Sequence, residues 1–259
     1  MSDLIAEPFL YPDEPFPVDH GVPETIGNIT YYRNLVQGSD EWLKIRLGLL
    51  TASEMKLILT PTLKIANNEK TRTHLYELMA QRITGYVEPH YISDDMLRGH
   101  EDEVDARIVY AQNIAPVQDI GFLTNNKLGF TIGYSPDGLV GDTGLIETKS
   151  RRQKYQVQTV LDHIVDGEGA TIPAEFLLQC QTGLLVSERE WLDFISYSGG
   201  LPMVVIRVYP DEQVQDAIIN AATEFEASIS DKMADYQLAL KSGARMFPTK
   251  RKIYEEINL

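Results

Sequence analysis

The sequence predicts an α/β fold in which helices flank a mixed central β-sheet. Apolar residues recur every three or four positions through most of residues 39–113, which is typical of amphipathic helices. The spacing changes to two in "LGFTIGYS" and "GLIETKS", as it does in strands. More helices, a hairpin and a last helix follow. This order is not a regular βαβ alternation, which favours a mixed sheet.

The helices of the first half are predicted from their caps and stripes. Ser39 or Asp40 caps a helix in "GSDEWLKIRLGLL", and Thr51 or Ser53 caps the next one in "TASEMKLIL". A third helix, "EKTRTHLYELMAQRITG", ends at Gly85. The fourth, "SDDMLRGHEDEVDARIVYAQN", places its apolar residues on one stripe, which consists of Val104, Ile108 and Ala111.

The second half supplies the strands and the remaining helices. We expect "LGFTIGYS" and "GLIETKS" to pair through the turn "GDTG". Helices are predicted in "QKYQVQTVLDHIV" and "PAEFLLQCQTGLLV", and "GGLP" joins the strands "EWLDFISYS" and "MVVIRVYP" in a hairpin. A last helix begins with Asp211 as its cap and ends at Gly243. Its amphipathic stripe is Val214, Ile218, Ala221, Phe225, Ile229, Met233, Tyr236 and Leu240.

The composition suggests one domain preceded by an arm. Residues 1–30 are rich in proline and acidic residues, which predicts an extended N-terminal arm, either loose or packed on the body or on a partner. Residues 31–259 are predicted to form a single domain. The first residues lack the features of a secretory signal, and no segment approaches the about 20 apolar residues that span a bilayer.

Charge and cysteine content restrict the function classes. The 259-residue chain has a net charge of −15, which argues against nonspecific nucleic-acid binding through surplus lysine and arginine. A metal-dependent nucleic-acid enzyme remains open, because metal sites need carboxylates and a basic groove can coexist with an acidic exterior. Cys180 is the only cysteine, so there is no disulfide framework or four-cysteine zinc site. These features suit a reducing cytoplasm.

A group of acidic residues and a lysine is the strongest candidate site. In "GLIETKS", strand alternation places Leu145, Glu147 and Lys149 on one face. Asp137 follows the preceding strand, so pairing through the turn brings it near Glu147. Two carboxylates, with the carbonyl oxygen of Thr148, form a hard-oxygen site for Mg²⁺, or for Mn²⁺. Lys149 beside the cation can orient or deprotonate a water, and its pKa should then fall.

The competing interpretation is an ordinary surface ion pair. Glu-x-Lys triplets are common, and Glu54-Met55-Lys56 is a second one in this chain. An exposed Glu–Lys pair on a strand contributes little. The apolar neighbours Leu145 and Ile146 favour a site over a surface.

Four segments together point to a known family: "WLKIRLGLLTASE" (42–54), "RGHEDEVDAR" (98–107), "YSPDGL" with "GLIETKS" (134–150) and "LLQCQTGLLV" (177–186). In this order they resemble the PD-(D/E)xK nuclease superfamily and, more narrowly, the phage lambda exonuclease or YqaJ-type viral recombinase nucleases. The resemblance implies a PD-(D/E)xK core and a 5′→3′ exonuclease that degrades linear double-stranded DNA with one or two Mg²⁺ ions. It also implies a ring-shaped homotrimer that works beside a single-strand annealing protein in DNA recombination.

The resemblance also implies roles for individual residues. Asp137 and Glu147 match the metal ligands and Lys149 the catalytic lysine, while Glu103 matches a helix-borne acid near the metals. Gln179 matches a glutamine that holds the water and the lysine. Taken alone, Glu103 would be a solvated acid in "HEDEVD".

A second set of residues is expected to contact DNA phosphates. Arg46, Thr51, Ser53 and Ser135 match such positions in the family. Arg46 could also be an i,i+4 partner of Trp42, and the two hydroxyls near a helix start could simply cap it. Arg151 and Arg152, in "KSRRQKY", follow the site and could track the DNA backbone or receive a terminal 5′-phosphate.

Two other functions remain to be distinguished. A restriction or repair endonuclease of the same superfamily would cut closed circular DNA. A non-catalytic acidic protein that mimics DNA would show no Mg²⁺-dependent degradation, although a mimic has no need of Lys149.

Overall fold

The structure, a computed structural model, describes residues 22–88 and 94–251. Its strands are β1 (Glu24–Ile26), β2 (Ile29–Tyr32), β3 (Leu50–Thr51), β4 (Phe122–Asn125), β5 (Ile132–Tyr134), β6 (Gly138–Val140), β7 (Gly144–Ser150), β8 (Ile164–Val165), β9 (Glu168–Gly169), β10 (Trp191–Tyr197) and β11 (Val204–Val208). Its helices are α1 (Asp40–Arg46), α2 (Met55–Ile58), α3 (Glu69–Thr84), α4 (Asp94–Asn113), α5 (Gln153–His163), α6 (Ala174–Ser187) and α7 (Glu212–Leu240).

The strands form two mixed sheets and a small hairpin, which confirms the α/β class. The first sheet has the order β1-β2-β4-β5-β3, with only the β3–β5 pair parallel. The second has the order β11-β10-β7-β6, with only the β10–β7 pair parallel. The single central sheet expected from the sequence is therefore divided in two, and the chain crosses from one sheet to the other between β5 and β6.

This crossing corrects the predicted partner of "GLIETKS". β5 pairs with β4 and β3, whereas the strand that pairs with β7 is β6, with Gly138 opposite Ile146. Pro136 lies between β5 and β6 and separates the two strands, because proline cannot donate to a strand ladder. The turn at residues 141–143 joins β6 to β7, close to the predicted "GDTG".

Several helix caps agree with the sequence. The Ser39 hydroxyl accepts from the Trp42 N–H at 3.2 Å, and Asp211 Oδ1 accepts from the Val214 N–H at 3.1 Å. Gly85 ends α3 with a φ of 63°. The segment after Thr51 is shorter than predicted, a 3₁₀ turn (Ala52–Glu54) followed by the four-residue α2.

Other helix predictions were wrong in detail. On α4 the expected buried stripe faces outward, since Val104 is 59% and Ile108 is 50% exposed. The buried face of the helix instead contains Ala106 and Tyr110. The Tyr110 hydroxyl donates to buried Asp193 at 2.6 Å, which fixes this face against the second sheet. α5 ends at His163, and Ile164 and Val165 form β8. α7 ends at Leu240, and the last stripe residues, Tyr236 and Leu240, are exposed.

The predicted boundary between arm and domain stays a prediction, since residues 1–21 lie outside the described residues. Residues 24–30, however, contribute β1 and the first part of β2. The proline-rich stretch ends at Pro23, and Thr25 pairs with Thr30 across a turn that contains Gly27 at a φ of 60°.

Helix α6 lies in the middle of the core. It packs against α7, α2, β4, β5 and β10. Gly183 allows one of these contacts, because a Cβ at this position would lie 2.6 Å from the Tyr134 ring. None of the helices within the described ranges is both long and apolar enough to cross a membrane.

Candidate active site

A cleft of about 400 Å³ opens where the two sheets meet α1, α4 and α6. Ten of the twelve residues that the sequence singled out line it: Arg46, Thr51, Ser53, Glu103, Ser135, Asp137, Glu147, Thr148, Lys149 and Gln179. We call Asp137, Glu147 and Lys149 the carboxylate end of the cleft. The hydroxyl end is Arg46, Thr51, Ser53 and Ser135.

Backbone contacts with β7 hold Asp137 in place. Its N–H donates to the Ile146 carbonyl at 3.2 Å, and its Oδ2 accepts from the Thr148 N–H at 2.5 Å. Asp137 immediately precedes β6, so the pairing of β6 with β7 fixes its carboxylate beside Glu147. The predicted proximity of the two acids is therefore present, although β6 rather than β5 produces it.

Three side chains hold the buried carboxylate of Glu147. Oε1 accepts from Lys149 Nζ at 2.6 Å and from Gln179 Nε2 at 2.6 Å, while Oε2 accepts from the Tyr134 hydroxyl at 2.7 Å. Gln179 and Lys149 thus meet at one oxygen of Glu147. The influence of Gln179 on Lys149 that the resemblance implies would pass through this carboxylate.

The electrostatics of the carboxylate end follow from crowding and burial. Burial raises the pKa of Asp137 well above its usual value, and repulsion from Glu147 and Glu103 raises it further. Burial likewise raises the pKa of Glu103. For Lys149, burial acts to lower the pKa, but attraction to Glu147 and Asp137 outweighs it, so the pKa is raised. The expected fall in the pKa of Lys149 applied to a lysine beside a bound cation. In the structure Lys149 Nζ instead donates to Glu147, whose negative charge raises the pKa.

The donors present fit a hard divalent cation. Asp137 and Glu147 supply carboxylate oxygens, and one lysine cannot neutralise them together with Glu103. Glu147 Oε2 accepts a single hydrogen bond and so retains acceptor capacity. Within the described ranges, no three Asp, Glu, His or Cys side chains are grouped as a metal site. The role of Glu103 as a ligand therefore stays a prediction.

The helix that carries Glu103 is fixed on both sides of it. Towards the start of α4, Ser150 Oγ donates to Asp102 and accepts from Arg98 Nε at 3.3 Å. Two turns after Glu103, Tyr110 bonds Asp193. These contacts attach α4 to β7 and β10, the two strands of the parallel pair.

The hydroxyl end is a chain of donors and acceptors around Arg46. Its Nη2 donates to Thr51 Oγ1 at 3.2 Å, and Thr51 Oγ1 lies 3.4 Å from Ser53 Oγ. The Arg46 guanidinium stacks 4.1 Å from the Trp42 ring centroid, and Trp42 Nε1 donates to Ser135 Oγ at 3.0 Å. Burial lowers the pKa of Arg46, but arginine still remains charged. Such a planar cation among hydroxyls suits a phosphate.

The sequence did not identify every residue that lines the cleft. Trp42 was considered only as a partner of Arg46, but it lines the cleft and contacts both Arg46 and Ser135. Tyr134 was not singled out, and its contact with Glu147 depends on two strands of different sheets. Gln37, His100 and Ser150 also line the cleft. Of these contacts, only the one between Trp42 and Arg46 had a signal in the sequence, which is their i,i+4 spacing.

Arg151 and Arg152 lie outside this cleft. Arg151 forms an ion pair with Glu175 at 2.5 Å and lines a separate pocket, while Arg152 is an exposed residue at the start of α5. Their predicted contact with DNA is therefore not part of the cleft geometry.

The chain is similar to a known family and to solved structures. Residues 41–190 match the family model described as the YqaJ-like viral recombinase domain. The chain is similar to the solved structure of an alkaline exonuclease (LHK-Exo) from Laribacter hongkongensis, with 28% identity and a TM-score of 0.67, over 80% of this chain and 100% of that one. LHK-Exo in complex with dAMP gives 28% identity and a TM-score of 0.68 with the same coverage. No curated protein matches significantly.

Proposed function

Because the chain belongs to the YqaJ-like viral recombinase family and has the fold of the PD-(D/E)xK nucleases, we propose that it is a metal-dependent DNA exonuclease. In its full form, the proposal is a Mg²⁺-dependent 5′→3′ exonuclease that degrades linear double-stranded DNA. The remaining 3′ single strand would then serve annealing recombination. The likeness to an alkaline exonuclease supports the exonuclease activity.

One observation supports the proposal most strongly. A buried Glu147 binds Lys149 and Gln179 through one oxygen and lies beside Asp137 in the same cleft as Arg46 and its hydroxyl neighbours. A phosphodiester in this cleft would meet a carboxylate pair at one end and a phosphate-binding cation at the other. An acidic DNA mimic would need neither the buried lysine nor the buried glutamine.

The reaction would be hydrolysis of a phosphodiester. Asp137, Glu147 and the Thr148 carbonyl would hold a divalent cation, which offsets charge on phosphoryl oxygens and lowers the pKa of a bound water. Glu147 and Asp137 raise the pKa of Lys149 when no cation is bound, and a bound cation would lower it again. As an ammonium, Lys149 would orient the attacking water and neutralise charge that develops on the phosphate. As an amine, it would accept a proton from that water. Gln179 keeps the Glu147 carboxylate, and through it Lys149, in position.

The hydroxyl end would bind the DNA. Arg46 offers two N–H groups to a phosphate, and Ser53 and Ser135 add hydroxyl donors. The Thr51 hydroxyl donates to Glu54 Oε2 at 2.7 Å, so it would have to turn away from Glu54 to join them. The helix that follows Thr51 has four residues, so side-chain hydroxyls rather than a helix dipole supply the attraction. Arg151 and Arg152 belong to the proposal as further phosphate contacts, outside the cleft.

The finer features of the proposal concern assembly and location. A homotrimeric ring around the duplex would give processivity to a chain whose net charge is −15. A single-strand annealing protein would receive the 3′ strand, in the cytoplasm of a bacterium or a phage-infected host. Sedimentation of the purified chain, with and without linear duplex, would test the trimer.

The direct test compares linear and closed circular duplex DNA in Mg²⁺. We expect the parent protein to degrade the linear duplex and leave the circle intact, and we expect Asp137→Ala and Lys149→Ala to be inactive. Cutting of the circle would indicate an endonuclease of the same fold. Degradation by both variants at the parental rate would contradict the assignment.

A further inference from the structure

The segment that follows α7 is basic, although the chain as a whole is acidic. Residues 241–251, which we call the basic segment, contain no aspartate or glutamate but four cations: Lys241, Arg245, Lys250 and Arg251. The whole chain, by contrast, has 23 lysines and arginines against 38 acidic residues. Every residue of the basic segment is exposed, so its positive charge faces solvent.

Neighbouring carboxylates do not neutralise this charge. Among the described residues, none of the four cations forms an ion pair with an acidic side chain. The guanidinium of Arg251 instead stacks on the ring of Tyr86, with its Cζ 3.7 Å from the ring centroid. A stacked guanidinium keeps the N–H groups at its edge available to an acceptor. The basic segment can therefore bind a phosphate backbone without first displacing a carboxylate.

Contacts at both ends hold the basic segment on the body of the protein. At its start, Ser242 Oγ donates to the Ala239 carbonyl at 2.6 Å. At its end, Arg251 lies on Tyr86, which directly follows Gly85 at the end of α3. The segment therefore runs from the end of α7 to the end of α3.

The end of α3 also contacts the hydroxyl end of the cleft. Arg82, in the last turn of α3, donates through Nε to the Gly48 carbonyl at 2.8 Å. Gly48 lies between Arg46 and Thr51, two residues of the hydroxyl end. Tyr86 follows Arg82 by four residues, so the basic segment ends about one helical turn from a contact that supports the cleft.

The basic segment also exposes an aromatic ring. Phe247 is 82% exposed, and its neighbour Met246 is 47% exposed. Single-stranded nucleic acids bind to such surfaces, because bases stack on aromatic side chains while cations contact the phosphates. A duplex keeps its base faces inside the stack and would leave the Phe247 ring in water. The exposed ring therefore favours a single strand over a duplex.

The length of the segment sets the size of the strand that it can contact. Arg245 and Arg251 are six residues apart, which is at most about 20 Å in an extended chain. A stacked strand advances about 3.4 Å per nucleotide, so this length corresponds to up to about six nucleotides. Phe247 lies between the two arginines and could stack on a base while they contact phosphates on either side.

We propose that the basic segment binds the single strand that digestion leaves, with Phe247 stacked on a base and Arg245, Lys250 and Arg251 at its phosphates. The inference rests on the proposed function, which supplies this strand, and adds a site for the product outside the cleft. A retained product strand would keep the protein on the DNA between successive cuts.

Binding of a fluorescent oligothymidine, measured by anisotropy in EDTA, tests the stacking contact. Phe247→Ala should weaken binding about tenfold, because a base loses the ring on which it stacks. Phe247→Leu should weaken it to a similar extent, because leucine is apolar but has no aromatic face. Tyr209→Ala is the control, since Tyr209 is an aromatic residue outside the segment and is 62% exposed. It should change the affinity less than about twofold.

The salt dependence of the same binding tests the cations. The double variant Lys250→Gln with Arg251→Gln should reduce the slope of log affinity against log salt by about 1.4, because each phosphate contact on a single strand contributes about 0.7. The control is Lys70→Gln with Arg72→Gln, which changes the charge equally at two exposed residues of α3. It should change the slope much less.

Each outcome decides the inference. Equal affinities of Phe247→Ala and Tyr209→Ala for the oligothymidine would overturn it, as would parental affinity of Phe247→Leu or equal slopes of the two double variants. An equal loss of affinity for a blunt duplex would indicate a duplex contact and would also overturn it. A parent protein that degrades linear duplex in Mg²⁺ but does not bind the oligothymidine would refute only the inference. A parent protein that binds the oligothymidine but degrades no duplex would refute the proposed function, because no product strand would exist.

Discussion

The two ends of the cleft are held in different ways. At the carboxylate end, the pairing of β6 with β7 and the packing of α6 bring Asp137, Glu147 and Gln179 together. The contacts that hold them are the Thr148 N–H on Asp137 and the Gln179 amide on Glu147. At the hydroxyl end, Arg46 and Thr51 lie on either side of a turn that depends on α3. Arg82 Nε donates to the Gly48 carbonyl at 2.8 Å, while its guanidinium bonds Glu226 of α7 at 2.7 and 2.8 Å.

The difference suggests that the carboxylate end determines the rate of the chemical step and the hydroxyl end determines the affinity for DNA. Side chains on regular elements fix the reactive groups, as catalysis requires, because small displacements there cost large factors in rate. The proposed phosphate contacts are held by a clamp between a turn and two helices, so a change in the clamp should weaken DNA binding before it alters the chemical step. The following substitutions test this division, from the largest expected effect to the smallest.

Asp137→Asn should have the largest effect and should act on rate. Replacing a ligand carboxylate should lower kcat roughly a hundred- to a thousandfold.

The raised pKa of Asp137 means that the folded protein binds this proton more tightly than the unfolded chain does. The contribution of Asp137 to metal-free stability should therefore be fully present below the usual carboxyl pKa and be lost as pH rises through the raised pKa.

The same variant should be more stable than the parent without metal. Asparagine removes the buried charge but keeps an oxygen that accepts from the Thr148 N–H. At pH 8 in EDTA, we expect Tm to rise by about 2–4 °C, the equivalent of about 1 kcal/mol. Calorimetry at pH 5 and pH 8 measures this, with the exposed Asp216→Asn as the control. A lower Tm than the parent's at pH 8 would show that the charge is not destabilising.

Gly48→Ala should act on binding. Gly48 has a φ of 67°, and a Cβ there would lie 2.6 Å from Arg82 Cγ, within the clamp. We expect KM for linear DNA to rise about tenfold, equivalent to about 1.4 kcal/mol, while kcat changes less than twofold. Gly85→Ala is the matched control, because its φ is 63° but no atom lies within 4 Å of the new Cβ. Equal KM values for the two variants would mean that the clamp does not position the phosphate contacts.

Tyr134→Phe should lower kcat about fivefold without a comparable change in KM. The change removes the donor to Glu147 Oε2, a hydrogen bond to a charged group that contributes about 1.5 kcal/mol or more. Tyr110→Phe is matched, since Tyr110 is also buried and also donates to a carboxylate, that of Asp193. It should reduce stability and leave kcat close to the parental value. The reverse ranking of the two kcat values would be inconsistent with a positioning role for Tyr134.

Trp42→Phe should have the smallest effect. Phenylalanine keeps an aromatic face for Arg46 but loses the donor to Ser135 Oγ. A neutral hydrogen bond at a half-buried position is equivalent to about 0.5 kcal/mol, so KM should rise about twofold. Steady-state kinetics on linear duplex DNA measures it. A tenfold fall in kcat would place Trp42 in the chemistry rather than in binding.

Local sequence signals predicted the parts of the molecule that local interactions determine. Caps such as Ser39 and Asp211, and the left-handed Gly85, mark the ends of helices through contacts within a few residues. The adjacency of Glu147 and Lys149 follows from strand alternation alone. Ten of the twelve predicted residues meet in one cleft, in agreement with the expected fold.

The remaining features depend on distant contacts. The exposed face of α4 looked like a core stripe, because a period of apolar residues does not reveal which face a sheet covers. The Tyr134–Glu147 bond joins β5 of one sheet to β7 of the other and needs Gly183 beside the ring. Arg151 is adjacent to the site in sequence, yet it lines a separate pocket and not the cleft. No spacing rule predicts this separation.

The central claim is that Asp137 and Glu147 together form a divalent-cation site, and Mn²⁺ titration in the absence of DNA tests it most directly. Free Mn²⁺ followed by electron paramagnetic resonance should show binding to the parent protein and its loss in Asp137→Asn and Glu147→Gln, with Asp216→Asn unchanged. Equal Mn²⁺ binding by all four proteins would contradict the account.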